Sequence, residues 1–198
     1  MSVVDPESDQ ALLAGVCAGD AAAFDKIHAR FHARLFSFLA RLARSRDVAE
    51  DLLEETWLRF VRHAPGLTPD TTLGPWLFTV ARNLHLSYCR SRSIETGLTS
   101  DWTTLAPPVA TGPSPFDEAA ATETERRLER ALASLPVAYR EVLLLIGVEG
   151  LQPAEAASIC GVTPEALRQR LRRARVMLLQ RMDTQDVVAM AQAREVAP

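Results

Sequence analysis

Apolar residues recur along this chain at intervals of three and four, and no stretch alternates singly between apolar and polar as a half-buried strand does. The spacing predicts a first helix over Ser8 to Ala18. Asp20 caps a second that runs to about Ala43, with Phe24, Ile27, Phe31, Leu35, Phe38 and Leu42 on one face. Asp47 caps a third, to about His63, carrying Val48, Leu52, Leu53, Trp57, Phe60 and Val61. A loop holding Pro65, Gly66, Pro69 and Gly74 follows, and GPWLFTVARNLHLSYCRSRS forms a fourth helix with Pro75 at its start. These elements make a first domain over 1–93. Residues 94–121, with Pro107, Pro108, Pro113 and Pro115 and little periodicity, read as a linker. A second helical domain is expected over 122–183 and a flexible tail over 184–198. The fold class is all-α: two small helical domains joined by a flexible linker, without internal repeats.

The segment from Leu135 to Arg175 is the most specific. It reads as a helix followed by a helix–turn–helix, whose first short helix covers Gln152 to Cys160 and whose turn places Gly161 where a left-handed residue is needed. Thr163 caps the last helix, Pro164 suits its first turn, and Glu165 complements the positive end of its dipole. Leu167, Leu171, Ala174 and Leu178 recur at i, i+4, i+7 and i+11, an apolar stripe that faces a core. Arg168, Gln169, Arg172 and Arg173 fall opposite. Between Thr163 and Met182 there are six arginines against one acid. Arginine can bind guanine O6 and N7 together, and glutamine does the same to adenine. The plainer alternative is a solvated basic face, but cap, turn, stripe and basic face agree with each other in favour of DNA.

The chain as a whole is not basic. Its 198 residues carry a formal net charge of −3, with 47% hydrophobic and 24% charged residues, so the arginine face is a local device in a globular chain. The longest apolar run, Val142 to Ile146, is far short of a membrane span, and MSVVDPESDQ lacks the pattern of a secretory signal. Three scattered cysteines, Cys17, Cys89 and Cys160, fit a reducing cytoplasm better than a disulfide framework. Enzyme motifs are missing: no phosphate-binding glycine loop, no nucleophile elbow, no cysteine with a credible histidine partner. His28 and His32 stand at i, i+4 without a third ligand and read as surface or packing residues. Neither a metal nor a cofactor is expected.

Three blocks, RDVAEDLLEETWLRF, GPWLFTVARN and LPVAYREVLLLIGVEGLQPAEAASICGV with its arginine helix, occur in an order that resembles the bacterial RNA polymerase sigma factors of the extracytoplasmic-function group. The resemblance covers about two thirds of the chain. It implies a cytoplasmic, non-enzymatic promoter-reading subunit whose partners are core RNA polymerase, promoter DNA and an anti-sigma factor, with no insertion of its own into a membrane. In that family the segment containing Asp51, Leu52, Glu54, Glu55 and Thr56 docks on a coiled coil of the largest polymerase subunit. An acidic face speeds and orients such docking; the residues alone are equally consistent with a solvated helix face. The family's minus-ten surface matches Trp76, Arg82 and Asn83, with Arg90 beside them. Asn83 suits a base edge, and Trp76 is either a stacking wall or core. The last helix, through Arg168, Gln169, Arg172 and Arg173, corresponds to the minus-thirty-five reader.

The sequence departs from the family in two places. After Asn83 an aspartate and a basic run are usual, but His85, Leu86, Ser87, Tyr88 and Cys89 stand here, implying fewer phosphate contacts. Ala166 replaces a threonine whose hydroxyl reaches a phosphate. The linker has no basic residue, and if extended it reaches about 90 Å, enough to bridge two promoter elements; it is either a tether or a strand threaded into the polymerase. Two rival functions remain: a stand-alone dimeric helix–turn–helix regulator, and a helical adaptor that binds polymerase but no promoter.

Overall fold

The computed structural model describes residues 8–68, 70–96 and 122–195, with the side chains of 95, 96 and 184–195 left aside. Among the described residues every regular element is helical, and the chain divides into two compact units. The first unit contains α1 (Asp9–Cys17), α2 (Ala21–Ala43), α3 (Arg46–His63), a 3-10 turn (Ala64–Gly66) and α4 (Leu73–Thr96). The second contains α5 (Glu123–Ala133), α6 (Val137–Leu143) continuing as a π turn (Leu144–Val148), α7 (Pro153–Cys160) and α8 (Pro164–Glu195).

In the first unit, α2 is the central element and packs against α1, α3 and α4. Its Ile27, Leu35, Phe38 and Leu39 are wholly or almost wholly buried, with Phe60 of α3 and Leu77 and Phe78 of α4. Phe38 meets Phe78 edge-on, ring centroids 5.3 Å apart, an arrangement the ring quadrupoles favour. The α1–α2 crossing is close because Gly15 has no Cβ; one built there would stand 2.6 Å from Ala23 Cβ. Ser8 and Asp20 cap α1 and α2 through their side-chain oxygens. The cap of α3 is Ser45, whose hydroxyl accepts from Val48 N–H at 3.4 Å, and not Asp47 as expected from the sequence. Asp47 lies in the first turn, where its charge complements the dipole instead.

In the second unit, α8 packs against α5, α6 and α7. Thr122 and Glu125 form a capping box at the start of α5. The helix–turn–helix has the predicted turn: Gly161 takes φ 64°, a left-handed conformation, and Thr163 Oγ1 accepts from Ala166 N–H at 3.2 Å. Three expectations need adjusting. The apolar run after α6 widens into the π turn, where Glu149 N–H donates to Leu144 O at 2.9 Å. Of the predicted linker, 94–96 belong to α4, and the remainder lies outside the described residues. The backbone of α8 continues to Glu195 where a flexible tail was expected. Residues 184–195 contain neither glycine nor proline, so nothing local stops the helix.

Sequence reasoning passed over Arg140, the most deeply placed charge of the second unit. It is 2% exposed. Its Nε donates to Leu132 O at 3.0 Å, and its Nη2 donates to the carbonyls of Ala133 and Leu135 at 2.8 Å each. One guanidinium thus gathers three carbonyls at and just beyond the end of α5, of which Leu132 O also accepts from Leu135 N–H at 3.1 Å. Arg140→Met is close in size but removes the guanidinium donors from the carbonyls of Ala133 and Leu135. It should lower the stability of the second unit by about 3 kcal/mol, read as a shift in the denaturant midpoint; an unchanged midpoint would refute the capping role.

Candidate nucleic-acid and partner interfaces

Burial decides which side of α8 is available. Leu167 and Ala174 are wholly buried, and Leu171 and Leu178 are half-buried on the same stripe. Arg168, Gln169, Arg172 and Arg173 are all exposed opposite them, so the structure brings the four predicted readers to one surface. They are not equivalent. Among the described residues Arg172 and Arg173 make no hydrogen bond or ion pair. Arg168 is bound to Glu165, Nη2 to Oε2 at 2.7 Å and Nε to the same oxygen at 3.2 Å. Gln169 Nε2 donates to Glu165 Oε1 at 3.4 Å. Hydrogen bonds from Arg168 and then Gln169 hold the Glu165 carboxyl below the usual carboxylate range.

On α4 the same logic applies with a seven-residue interval. Leu77, Phe78, Ala81 and Leu84 are buried, which turns Trp76, Asn83 and Arg90 onto another stripe. Asn83 and Arg90 are exposed and without a partner among the described residues. Trp76 is half-buried, its ring edge-on to Phe60 at 5.9 Å. Its ring is thus partly packed and partly exposed, and both readings from the sequence stay open. Arg82 is half-buried and already engaged. His85 is 2% exposed, and its Nε2 lies 3.5 Å from Cys89 Sγ. Burial pushes the Cys89 thiol up to about 11, so it is neutral near pH 7 and a poor nucleophile. His85 and Cys89 are thus core residues.

The predicted acidic face of α3 divides in two. Asp51 and Glu54 are exposed and unpaired among the described residues, and Glu55 is half-exposed and tied to Arg59 at 2.9 Å. Leu52 is 8% exposed and Thr56 is wholly buried, its hydroxyl donating to Leu52 O at 2.7 Å. Both belong to the core rather than to a contact surface. The surface has a component the sequence reading missed: Leu58 and Val61, 51% and 54% exposed, continue the acidic face with apolar side chains. They border a groove of about 930 Å³ between α2 and α3, together with Phe24, His28, His32 and Trp57. The sequence pattern placed Val61 with the apolar positions of the third helix, and the structure leaves it exposed instead. The His28 and His32 rings lie tilted with centroids 4.4 Å apart, and His28 lies 4.8 Å from the Trp57 ring; burial and then His28 hold His32 below the usual histidine range. No group of three or more potential metal ligands occurs among the described residues.

Comparison with known proteins gives two family matches. Residues 27–94 match "Sigma-70 region 2" and residues 125–178 match "Sigma-70, region 4". The chain is 35% identical to the sigma factor EcfG of Rhodopseudomonas palustris over 73% of this chain and 76% of that protein. It is 31% identical to SigM of Mycobacterium tuberculosis, over 86% and 83% respectively. With the probable sigma factor RfaY of Xanthomonas campestris it shares 37% identity over 72% of this chain, but this spans only 38% of that longer protein. Among solved structures, RpoE of Bartonella quintana, determined with the anti-sigma factor NepR, is 27% identical with a TM-score of 0.66, covering 81% of this chain and 96% of that one. CnrH, determined with the cytosolic domain of CnrY, shares the fold at 22% identity and a TM-score of 0.66, covering 89% and 97%. The chain belongs to the extracytoplasmic-function group of the sigma-70 family of RNA polymerase sigma factors.

Proposed function

We propose that this chain binds core RNA polymerase and directs initiation at its promoters, α8 reading the minus-thirty-five element while the first unit opens the minus-ten element. The observation that carries the reading is three uncommitted faces: Arg172 and Arg173 on α8, Asn83 and Arg90 on α4, and Asp51 and Glu54 on α3. Cations at the first two suit phosphate and base edges. Carboxylates at the third disfavour DNA and favour a basic protein surface. Leu58 and Val61 beside the acids supply an apolar centre that such a docking face needs.

Trp76 is half-buried and edge-on to Phe60, and its exposed part would serve as a wall against which a base flipped from the stack can lie. Asn83, about two helical turns along, offers a donor and an acceptor to that base. Because the relatives RpoE and CnrH were solved with an anti-sigma factor and with CnrY, an anti-sigma partner is inferred here also, with the cytoplasm as the site of action. No helix among the described residues is long and apolar enough to cross a membrane.

In vitro transcription with core polymerase and a randomised promoter library tests this directly: addition of the chain should select a small set of promoters. Specific duplex binding by the chain alone, with no effect of polymerase, would favour the dimeric regulator instead.

Each face has its own readout. Asp51→Lys combined with Glu54→Lys should weaken association with core polymerase at least tenfold at low salt, with the difference shrinking as salt rises. Arg172→Ala should cut promoter-specific transcription about tenfold or more, and leave core binding unchanged. Asn83→Ala should reduce strand opening, followed by permanganate reactivity of unpaired thymines, more than it reduces formation of the closed complex; equal loss in both would remove Asn83 from the opening step.

A further inference from the structure

Glu165 is the single acid between Thr163 and Met182, and it stands in the first turn of the helix proposed to enter the major groove. The helix dipole accounts for an acid in that turn. It does not account for where the carboxylate goes. Oε2 accepts from both Nε and Nη2 of Arg168, and Oε1 accepts from Nε2 of Gln169. Both oxygens are committed, and both partners are readers of the proposed surface.

What each partner has left over is informative. Arginine carries five N–H donors. Glu165 takes the Nε–Nη2 edge of Arg168, which leaves Nη1 and the second Nη2 hydrogen as a forked pair at the tip. Such a pair fits guanine O6 and N7. Gln169 gives one Nε2 hydrogen to Glu165 and keeps the other beside its Oε1, the donor and acceptor that fit adenine N7 and N6. The carboxylate therefore leaves the base-reading atoms of both side chains unoccupied. Arg172 and Arg173 have no such partner and can swing to the nearest phosphate.

We propose that Glu165 is a specificity-determining positioning residue, which holds Arg168 and Gln169 for base edges and keeps Arg168 from the phosphate backbone. The inference rests on the initiation function proposed above. An unpaired arginine near DNA gains affinity from any phosphate, and that gain carries no sequence information. A carboxylate already seated on the guanidinium removes much of this gain, and its own charge is repelled by the backbone. Affinity falls for every sequence, but least where a correctly placed base takes the free edge, and discrimination rises. Because the pair is fully exposed in the free chain, it contributes little to folding. Its effect is expressed when DNA excludes water from around it.

The test uses the full-length chain with core polymerase on a promoter library, comparing the unsubstituted protein with Glu165→Gln, Arg168→Ala and the double variant. Glu165→Gln should lower discrimination about tenfold at one or two adjacent positions of the minus-thirty-five element. Binding to random-sequence DNA should tighten, and its salt dependence should steepen by about one phosphate contact. In the Arg168→Ala background, Glu165→Gln should change nothing at the position Arg168 reads, because no side chain remains there to orient. An equal gain on all sequences with discrimination intact would reveal simple repulsion and overturn the proposal. A loss of preference for cytosine that does not depend on Arg168 would give Glu165 a base contact of its own, and overturn it as well. If the unsubstituted chain selects no promoter, the initiation reading fails first and the role of Glu165 falls with it.

Discussion

A helix that buries one stripe has no freedom in how it displays the rest, and the chemistry of this chain depends on that constraint. Successive residues are turned by 100°, so withdrawing Leu167 and Ala174 from water fixes Arg168 and Arg172 on the outer side of α8. Magnitudes show which effect is in command. Burying a leucine side chain contributes roughly 2 kcal/mol, whereas an exposed ion pair contributes well under about 1 kcal/mol. Packing therefore sets the orientation, and the charges accept it. The same holds on α4, where Leu77, Ala81 and Leu84 turn Asn83 and Arg90 outward, and on α3, where Leu53, Trp57 and Phe60 turn Asp51 and Glu54 outward.

Within that frame, arginine serves three purposes set by surroundings alone. Arg140 is sealed in the second unit, and its donors go to the carbonyls at the end of α5. Its charge is tolerable there because several backbone dipoles converge on it. Arg168 is at the surface with a carboxylate on one edge. Arg172 is at the surface with nothing bound. A count of basic residues treats these alike, yet the first stabilises a helix end, and only the last two have donors to offer a partner.

Features set by a few adjacent residues could be read directly from the sequence. Gly161 at the turn, Asp20 and Thr163 as caps, and the outward arginines of α8 all follow from local rules, and each stands where those rules put it. Ser45 and Asp47 are both good caps two residues apart, and only the packing of α3 chooses between them. Leu52 and Thr56 sit among acids, and the family resemblance placed them in the docking segment; the Thr56 hydroxyl satisfies itself on Leu52 O, which lets a polar residue lie wholly inside. Arg140 and the groove beside Leu58 depend on contacts between helices distant in sequence, or on which stripe a neighbour covers. No window of a single helix carries that information.

The small size of each proposed DNA face bears on how they act together. Four side chains on α8 can discriminate by only a few base contacts, at about 1–3 kcal/mol each. The stripe on α4 is smaller still, and on the initiation reading it would have to meet the expense of unstacking a base. On that reading neither face would be sufficient alone, and the acidic residues of α3 would repel DNA from the unit that carries the second. On the initiation reading, both properties become useful once polymerase holds the chain. Docking would satisfy Asp51 and Glu54 with a basic surface, and the second DNA contact would become intramolecular, with an effective concentration set by the chain that joins the two units instead of by bulk protein. An isolated chain would then spend little time on random DNA, while the assembled complex gains two weak contacts at once. The acids of α3 would thus restrict the arginines of α8 to DNA that polymerase also engages.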